Sequence, residues 1–129
     1  MRLTLQGLVQ ASEDSSGKKR LFFPDADQEK IIHDGFVKCF SGLFTVVAGG
    51  QENLSLGDIA DVRGFFIRAA GDFDMKADGG TTRKIRKGSS TATSTRVLAE
   101  EQVASLTILA PDGNTAVSGT YCVWGDPAA

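Results

Sequence analysis

Few of the residues from which enzyme and metal sites are usually built occur in this chain. Among its 129 residues there is one histidine, His33. A second histidine and a nucleophile motif such as GxSxG are both missing from the sequence, so His33 lacks the partners that nucleophilic catalysis requires. We therefore expect His33 to be a surface or half-buried residue, and we predict that the protein is not an enzyme.

Cysteine is also scarce, because the chain has two, Cys39 and Cys122. They form no CxxC pair, and no histidine-rich tract completes a metal-binding pattern with them. Cys39 lies in an apolar run, and Cys122 stands beside Val123 and Trp124. This setting predicts two buried free thiols in the core, with a disulfide between terminal strands as the alternative.

Two acidic stretches are candidates for a cation site. The stretch "DFDMKADG" (72–79) partly resembles a calcium loop, but Lys76 occupies the third ligand position and no glutamate follows at the required spacing. Asp25, Asp27 and Glu29 could hold calcium weakly, although solvated loop acids are commoner. We therefore predict carboxylates at strand edges and in a loop, with no bound metal and no cofactor.

Long hydrophobic runs are absent, since the longest is far shorter than the roughly 20 residues that a membrane-spanning helix needs. At the N-terminus, Arg2 is followed by an alternating segment, which differs from the continuous apolar stretch of a signal peptide. We expect a chain that is made in a cytosol and kept there at least initially, with no membrane partner.

The sequence is rich in glycine and in short segments in which apolar and polar residues alternate. It contains 15 glycines and eight phenylalanines. Segments with period-two hydrophobicity, separated by turns about every eight to twelve residues, predict roughly eight to ten short strands. We therefore predict one all-β domain over residues 1–129, an antiparallel β-sandwich of jelly-roll-like type, with a barrel as the alternative.

Three apolar segments should supply much of the core. Residues 36–50 are predicted to form two buried strand pieces around a bend at Ser41 and Gly42. Residues 63–80 have the pattern of a hairpin that turns at Gly71 and Asp72. Residues 115–125 should be the final strand. Alternation assigns one set of residues to the inner faces of these segments: Phe65, Ile67, Ala69, Val117, Tyr121 and Val123. It assigns a second set to the opposite faces: Phe66, Arg68, Cys122 and Trp124.

One segment differs from the rest in charge. Residues 81–97 are rich in serine and threonine and contain five cations but no acid, whereas the chain as a whole has a net charge of -2. Such separation of charge is typical of a contact surface for a charged partner. We predict an exposed basic hairpin or arm that orders on its partner, and a solvated hairpin is the alternative. The predicted partner-binding residues are Arg83, Lys84, Arg86, Lys87 and Arg96.

We do not expect nucleic acid to be the partner of this segment. Proteins that bind single strands combine a basic groove with aromatic rings on which bases stack. No aromatic residue occurs between Phe73 and Tyr121. The cations therefore have no stacking partners nearby in the sequence, and a protein surface is the expected partner.

The order of turns and apolar positions in "LSLGDIADVRGFFIRAAGDFDMKADGG" and "VASLTILAPDGNTAVSGTYCVWGD" resembles small β-sandwich virion proteins of tailed bacteriophages, in particular capsid decoration (cement) subunits and small tail or adaptor components. The resemblance covers roughly residues 43–125. It implies a structural protein of the virion, present in many copies, without cofactors. Its partner would be the major capsid protein or another virion protein. Exposed strand edges also predict a homo-oligomer, a dimer or trimer, through edge pairing or packed sandwich faces.

Two other functions remain open at this point. A tail-tube, adaptor or baseplate component would share every feature named above. A carbohydrate-binding sandwich would need an exposed platform built from Tyr121, Trp124 and the acidic loops.

Overall fold

The computed structural model describes residues 3–6, 10–12, 19–21, 30–33 and 38–127. These residues form strands, turns and loops, and no helix occurs among them. Consequently the described ranges contain no helix that could cross a membrane. The strands are β1 (Leu3–Gln6), β2 (Gln10–Ser12), β3 (Lys19–Leu21), β4 (Lys30–His33), β5 (Lys38–Val46), β6 (Gln51–Asn53), β7 (Ile59–Ala69), β8 (Phe73–Ala77), β9 (Arg83–Ile85), β10 (Thr95–Ala99), β11 (Leu106–Leu109) and β12 (Val117–Pro127).

The chain forms two compact units, Met1–Phe36 and Val37–Ala129. In the first unit β1 pairs with β4, and β2 pairs with β3, both antiparallel. Residues 10–12 and 19–21 are therefore a strand pair, and Ile31 and Ile32 lie in β4. The prediction of one domain over residues 1–129 stays a prediction.

The second unit is a sandwich of two antiparallel four-stranded sheets. The first sheet has the order β10-β7-β12-β5 and the second has the order β6-β11-β8-β9. Along the chain, every connection from β5 to β12 except the one between β8 and β9 passes from one sheet to the other. This arrangement is that of a jelly roll. The predicted all-β, antiparallel sandwich of jelly-roll type is confirmed.

The hairpin predicted over 63–80 is wrong in its pairing. β7 and β8 lie in different sheets, so the turn at Gly71 carries the chain across the sandwich. β8 pairs instead with β9. The connection between them contains Asp78 and Gly79 with φ of 55° and 67°. Turn residues mark where a strand ends, but they do not determine which strand the next one joins.

β5 also differs from its prediction, because Ser41 and Gly42 do not interrupt it. Residues 38–46 form one continuous strand at the edge of the first sheet, paired with β12. Its side chains alternate, and only Phe44 and Val46 are fully buried. Gly42 is required by close packing, since a Cβ there would lie 2.9 Å from Oη of Tyr121.

The core lies between the two sheets and confirms the alternation predicted for β7 and β12. Arg68 is exposed and Phe66 half-buried, on the face of β7 that points away from the core. On β12 the buried Tyr121 donates a hydrogen bond to the Ser55 carbonyl at 2.7 Å, and burial raises the pKa of its phenol. The core cluster includes Phe65, Ile67, Ala69, Phe73, Met75, Leu106, Ile108, Val117, Tyr121 and Val123.

Candidate partner-binding surface

The basic segment at 81–97 is exposed, as predicted, but it is not a detached arm. Its first part is β9, the edge strand of the second sheet, and its last residues begin β10, the edge strand of the first. Thr95 is buried, and its hydroxyl donates to the Gly71 carbonyl at 2.6 Å. A low content of large apolar residues suggested an arm, but edge strands are commonly short and charged, which keeps them from pairing with other strands.

Two of the five predicted cations bind acids of this same chain. Arg83 makes a two-pronged ion pair with Glu101, with its Nη1 2.9 Å from Oε2. Arg86 Nη1 lies 2.7 Å from Oδ1 of Asp74 and also donates to the Phe73 carbonyl at 2.9 Å. The acids that neutralise the segment therefore come from sequence-distant positions that the fold brings alongside.

The Arg83 ion pair affects both of its members. Hydrogen bonding from the Arg83 guanidinium holds the pKa of Glu101 below its ordinary value, against a smaller opposing effect of desolvation. The same hydrogen bond raises the pKa of Arg83. The pair is thus charged at neutral pH and joins the edge strand β9 to the segment that follows β10. Its role is structural, which leaves Arg83 less available to a partner.

The remaining three predicted cations lie apart from one another. Lys84 is opposite Asp74 in the β8–β9 ladder, on the outer face of the second sheet. The backbone N–H of Lys87 donates to Asp72 at 2.7 Å, and its side chain is exposed. Arg96 is on the outer face of the first sheet. None of these three side chains forms an ion pair with any residue that the structure describes.

Arg96 has a neighbour that the sequence did not indicate. In the β7–β10 register it is directly opposite Arg68, and both side chains are exposed. Directly opposite residues have Cβ atoms roughly 4.5–5.5 Å apart, and like charges in such a position are destabilising. Within the described ranges no carboxylate pairs with Arg68 or Arg96. We call these two residues the arginine pair.

Hydroxyl groups lie beside Arg68, one member of the arginine pair. Thr120 of β12 is opposite Arg68 on its other side. A shallow groove next to the pair is lined by Arg68, Ala69, Ala70, Thr93, Ser94, Ser118, Gly119 and Thr120. Guanidinium groups bind carboxylates in a two-pronged geometry, and hydroxyl groups add further donors. An anion bound between Arg68 and Arg96 would attract both guanidinium groups and so offset their mutual repulsion.

The other candidate sites give no support for a bound metal. In 72–79, Asp72 and Asp74 bond to the basic segment as described above, and Asp78 Oδ1 accepts the N–H groups of Ala104 and Ser105 at 2.6 and 3.0 Å. Within the described residues no group of three or more His, Cys, Asp or Glu could hold a metal ion. Asp25, Asp27 and Glu29 lie outside the described residues, as does the side chain of His33.

The cysteines are free thiols, but the prediction that both are buried is wrong. Cys39 is exposed and Cys122 half-buried. Both face away from the core, because their strand neighbours Phe40 and Val123 face it. Tyr121 and Trp124 are 5% and 1% exposed. They therefore form no exposed platform for a sugar ring.

Comparisons with protein-family models, with curated proteins and with solved structures found no match to this chain. The resemblance to phage virion proteins therefore stays a prediction.

Proposed function

We propose that this protein is a structural component of a tailed-phage virion, which decorates and stabilises the capsid by binding an acidic surface of the major capsid protein. The observation that carries the proposal is the arginine pair, two exposed and directly opposed cations with no acidic partner in the described part of the chain. The protein would be made in the cytoplasm of the bacterial host and would act on the particle.

The fold is compatible with this role, since the jelly roll recurs in viral capsid domains as well as in lectins and cupins. A fold alone does not assign a function. The choice among capsid protein, lectin and cupin therefore rests on the side chains that the surface exposes. The lectin alternative would need exposed aromatic rings, and Tyr121 and Trp124 are buried. A cationic outer face instead favours an acidic protein partner.

Binding through the arginine pair would be weak for one copy. Exposed ion pairs contribute about 0.2–1 kcal/mol each, and salt screens exposed charges over about 8 to 10 Å. Weak contacts become effective when linked copies, as in a homo-oligomer, bind several equivalent sites of a symmetric shell at once. The same reasoning holds for a tail-tube, adaptor or baseplate position, where the acidic surface would belong to another virion protein.

The test uses purified capsids that lack this chain and two double variants of equal charge. Arg68→Ser/Arg96→Ser removes the arginine pair, and Lys84→Ser/Lys87→Ser removes the same charge from the basic segment but outside the pair. We expect the first variant to bind capsids at least about tenfold more weakly at low salt, and the second to change affinity by less than about threefold. Both should keep the wild-type circular dichroism spectrum.

Wild-type binding should also weaken as salt rises to physiological strength, and the Arg68→Ser/Arg96→Ser variant should lose most of that salt dependence. Equal binding by this variant and the wild type at every ionic strength would refute the arginine pair as the contact. Equal losses in the two double variants would show that net charge alone, and no defined surface, attracts the chain.

A further inference from the structure

The edge strands of the two sheets are not alike. Of the four, β6 and β9 have three residues each, and β10 has five. All three contain charged residues, namely Glu52, Arg83 with Lys84, and Arg96. Short length and charge are the means by which natural sheets prevent their edges from pairing with other strands.

β5 is longer, and its one charged residue is Lys38 at its start, which forms an ion pair with Asp58. It is nine residues long, and residues 39–47 contain no charged residue and no proline. Leu43 is 81% exposed and Val47, just beyond the strand, is 71% exposed. Among the strands that the structure describes, β5 pairs only with β12. Within the described ranges, therefore, no strand pairs with the backbone N–H and C=O groups on its other side, and exposed apolar side chains lie beside them.

We propose that this side of β5 binds the same strand of a second copy of the chain, antiparallel, across a two-fold axis near Leu43. In a two-fold interface, a residue at one position meets the residue at the mirrored position of its partner. Centring the pair on Leu43 sets Leu43 against its own copy and Ser41 against Thr45. It also sets Cys39 against Val47, so that hydroxyl meets hydroxyl and apolar group meets apolar group.

Charge favours a second copy over a strand of a different protein. Self-pairing places like residues close together, so a charged strand such as β9 would bring Arg83 and Lys84 next to their own copies. β5 avoids this cost because its residues from 39 to 47 are uncharged. Apart from Lys38, which pairs with Asp58, the strand offers no charge by which a different partner could be selected.

The position of β5 in the first sheet leaves the arginine pair accessible to a capsid when two copies pair through β5. β5 and β10 are the two opposite edges of the first sheet, and the arginine pair lies on β7 and β10. A dimer through β5 would form a continuous eight-stranded sheet with one arginine pair towards each end. Self-association of β5 does not depend on a phage partner, so it can be tested on the isolated full-length chain.

The first experiment is sedimentation of the wild type and two lysine variants over a range of concentrations. Leu43→Lys adds a charge at the proposed axis, and Gln51→Lys adds the same charge on the exposed edge strand β6. We expect the wild type and Gln51→Lys to form dimers, and Leu43→Lys to raise the dissociation constant by about tenfold or more. A wild type that stays monomeric at every concentration would overturn the proposal.

The second experiment tests the register of the two paired β5 strands. It does not depend on whether a variant dissociates into monomers. In a Cys39→Ser/Cys122→Ser background, Leu43→Cys should give a disulfide-linked dimer on treatment with diamide, because two thiols meet at the axis. Leu98→Cys, on the same face but at the β10 edge, should stay monomeric. A dimer that persists in Leu43→Lys and fails to cross-link through Leu43→Cys would show that another surface mediates association and would refute the β5 interface.

Discussion

The Sγ atoms of Cys39 and Cys122 lie 3.0 Å apart on the outer face of two paired strands. In the β5–β12 register Cys39 is opposite Trp124 and Cys122 is opposite Ser41, so the two cysteines are diagonal neighbours. Cys39 is exposed, whereas Cys122 is half-buried. Desolvation, with the Cys39 contact as a further cause, raises the pKa of the Cys122 thiol to about 12.

This contact predicts that a mild oxidant will join the two thiols within one chain. With oxidised glutathione, the exposed Cys39 thiolate attacks first and releases one glutathione, after which Cys122 displaces the second and the protein disulfide forms. The sulfurs must approach to about 2.05 Å. Closing a loop of more than 80 residues should raise Tm by roughly 5 °C or more. Strain that the disulfide introduces into the folded chain would reduce this rise in Tm.

Intact-mass spectrometry measures the outcome as a loss of two hydrogens per monomer, and calorimetry measures Tm. The matched control is Cys122→Ser, which should stop at a mixed disulfide of Cys39 with glutathione and show no rise in Tm. A wild type that also stops at the mixed disulfide would contradict the expected closure.

Gly64 and Trp124 provide a test of packing on the outer face of the first sheet. They are directly opposite in the β7–β12 register, and a Cβ on Gly64 would lie 2.4 Å from Cζ2 of Trp124. Gly64→Ala must therefore displace the buried indole, and we expect a loss of about 1–3 kcal/mol in the free energy of unfolding.

Urea unfolding followed by tryptophan fluorescence measures this loss and reports the indole environment as well. Gly88→Ala is the control, because a Cβ at Gly88 would meet no atom within 4 Å. Equal stability of the two alanine variants would contradict the contact between Gly64 and the indole.

The Arg83–Glu101 ion pair predicts a pH dependence of stability. The folded pKa of Glu101 is below its unfolded value, so the pair contributes its stabilisation above the ordinary glutamate pKa of about 4.3. The contribution is lost as pH falls through the lower, folded pKa. Because the pair is largely exposed, Glu101→Gln should cost less than about 1 kcal/mol at neutral pH.

The measurement is the free energy of unfolding of wild type and Glu101→Gln from pH 7 down to pH 3. The two curves should be separated by a constant amount above about pH 5 and should converge at the acid end. Glu52→Gln, on the exposed edge strand β6, controls for the loss of one negative charge. Curves that stay parallel to the lowest pH would contradict this role for Glu101.

Alternation in the sequence was enough to predict the inward and outward faces of β7 and β12. Phe65, Ile67 and Ala69 were assigned to the core side of β7, and Arg68 to the opposite side, because side chains in a strand alternate whatever its partner. The jelly-roll class followed from many short strands separated by turns. These features are local, and local pattern is sufficient to predict them.

Pairing between distant strands could not be read in this way. Nothing in the sequence indicated that Arg68 would be opposite Arg96, because that neighbour depends on the order and register of β7 and β10. For the same reason the acids that bind Arg83 and Arg86 were missed, and the basic segment was predicted to be an exposed hairpin or arm that orders on its partner. Each of these contacts joins residues that the sequence separates and that only the assembled sheets bring together.

The proposed virion role is tested most directly by the copy number of this chain in purified virions, measured by quantitative mass spectrometry against the major capsid protein. We predict a fixed ratio to the capsid protein that corresponds to many copies per particle. A few copies per particle would instead place the chain in the tail or at an adaptor ring. Its absence from purified particles would contradict the proposal that it is a virion protein.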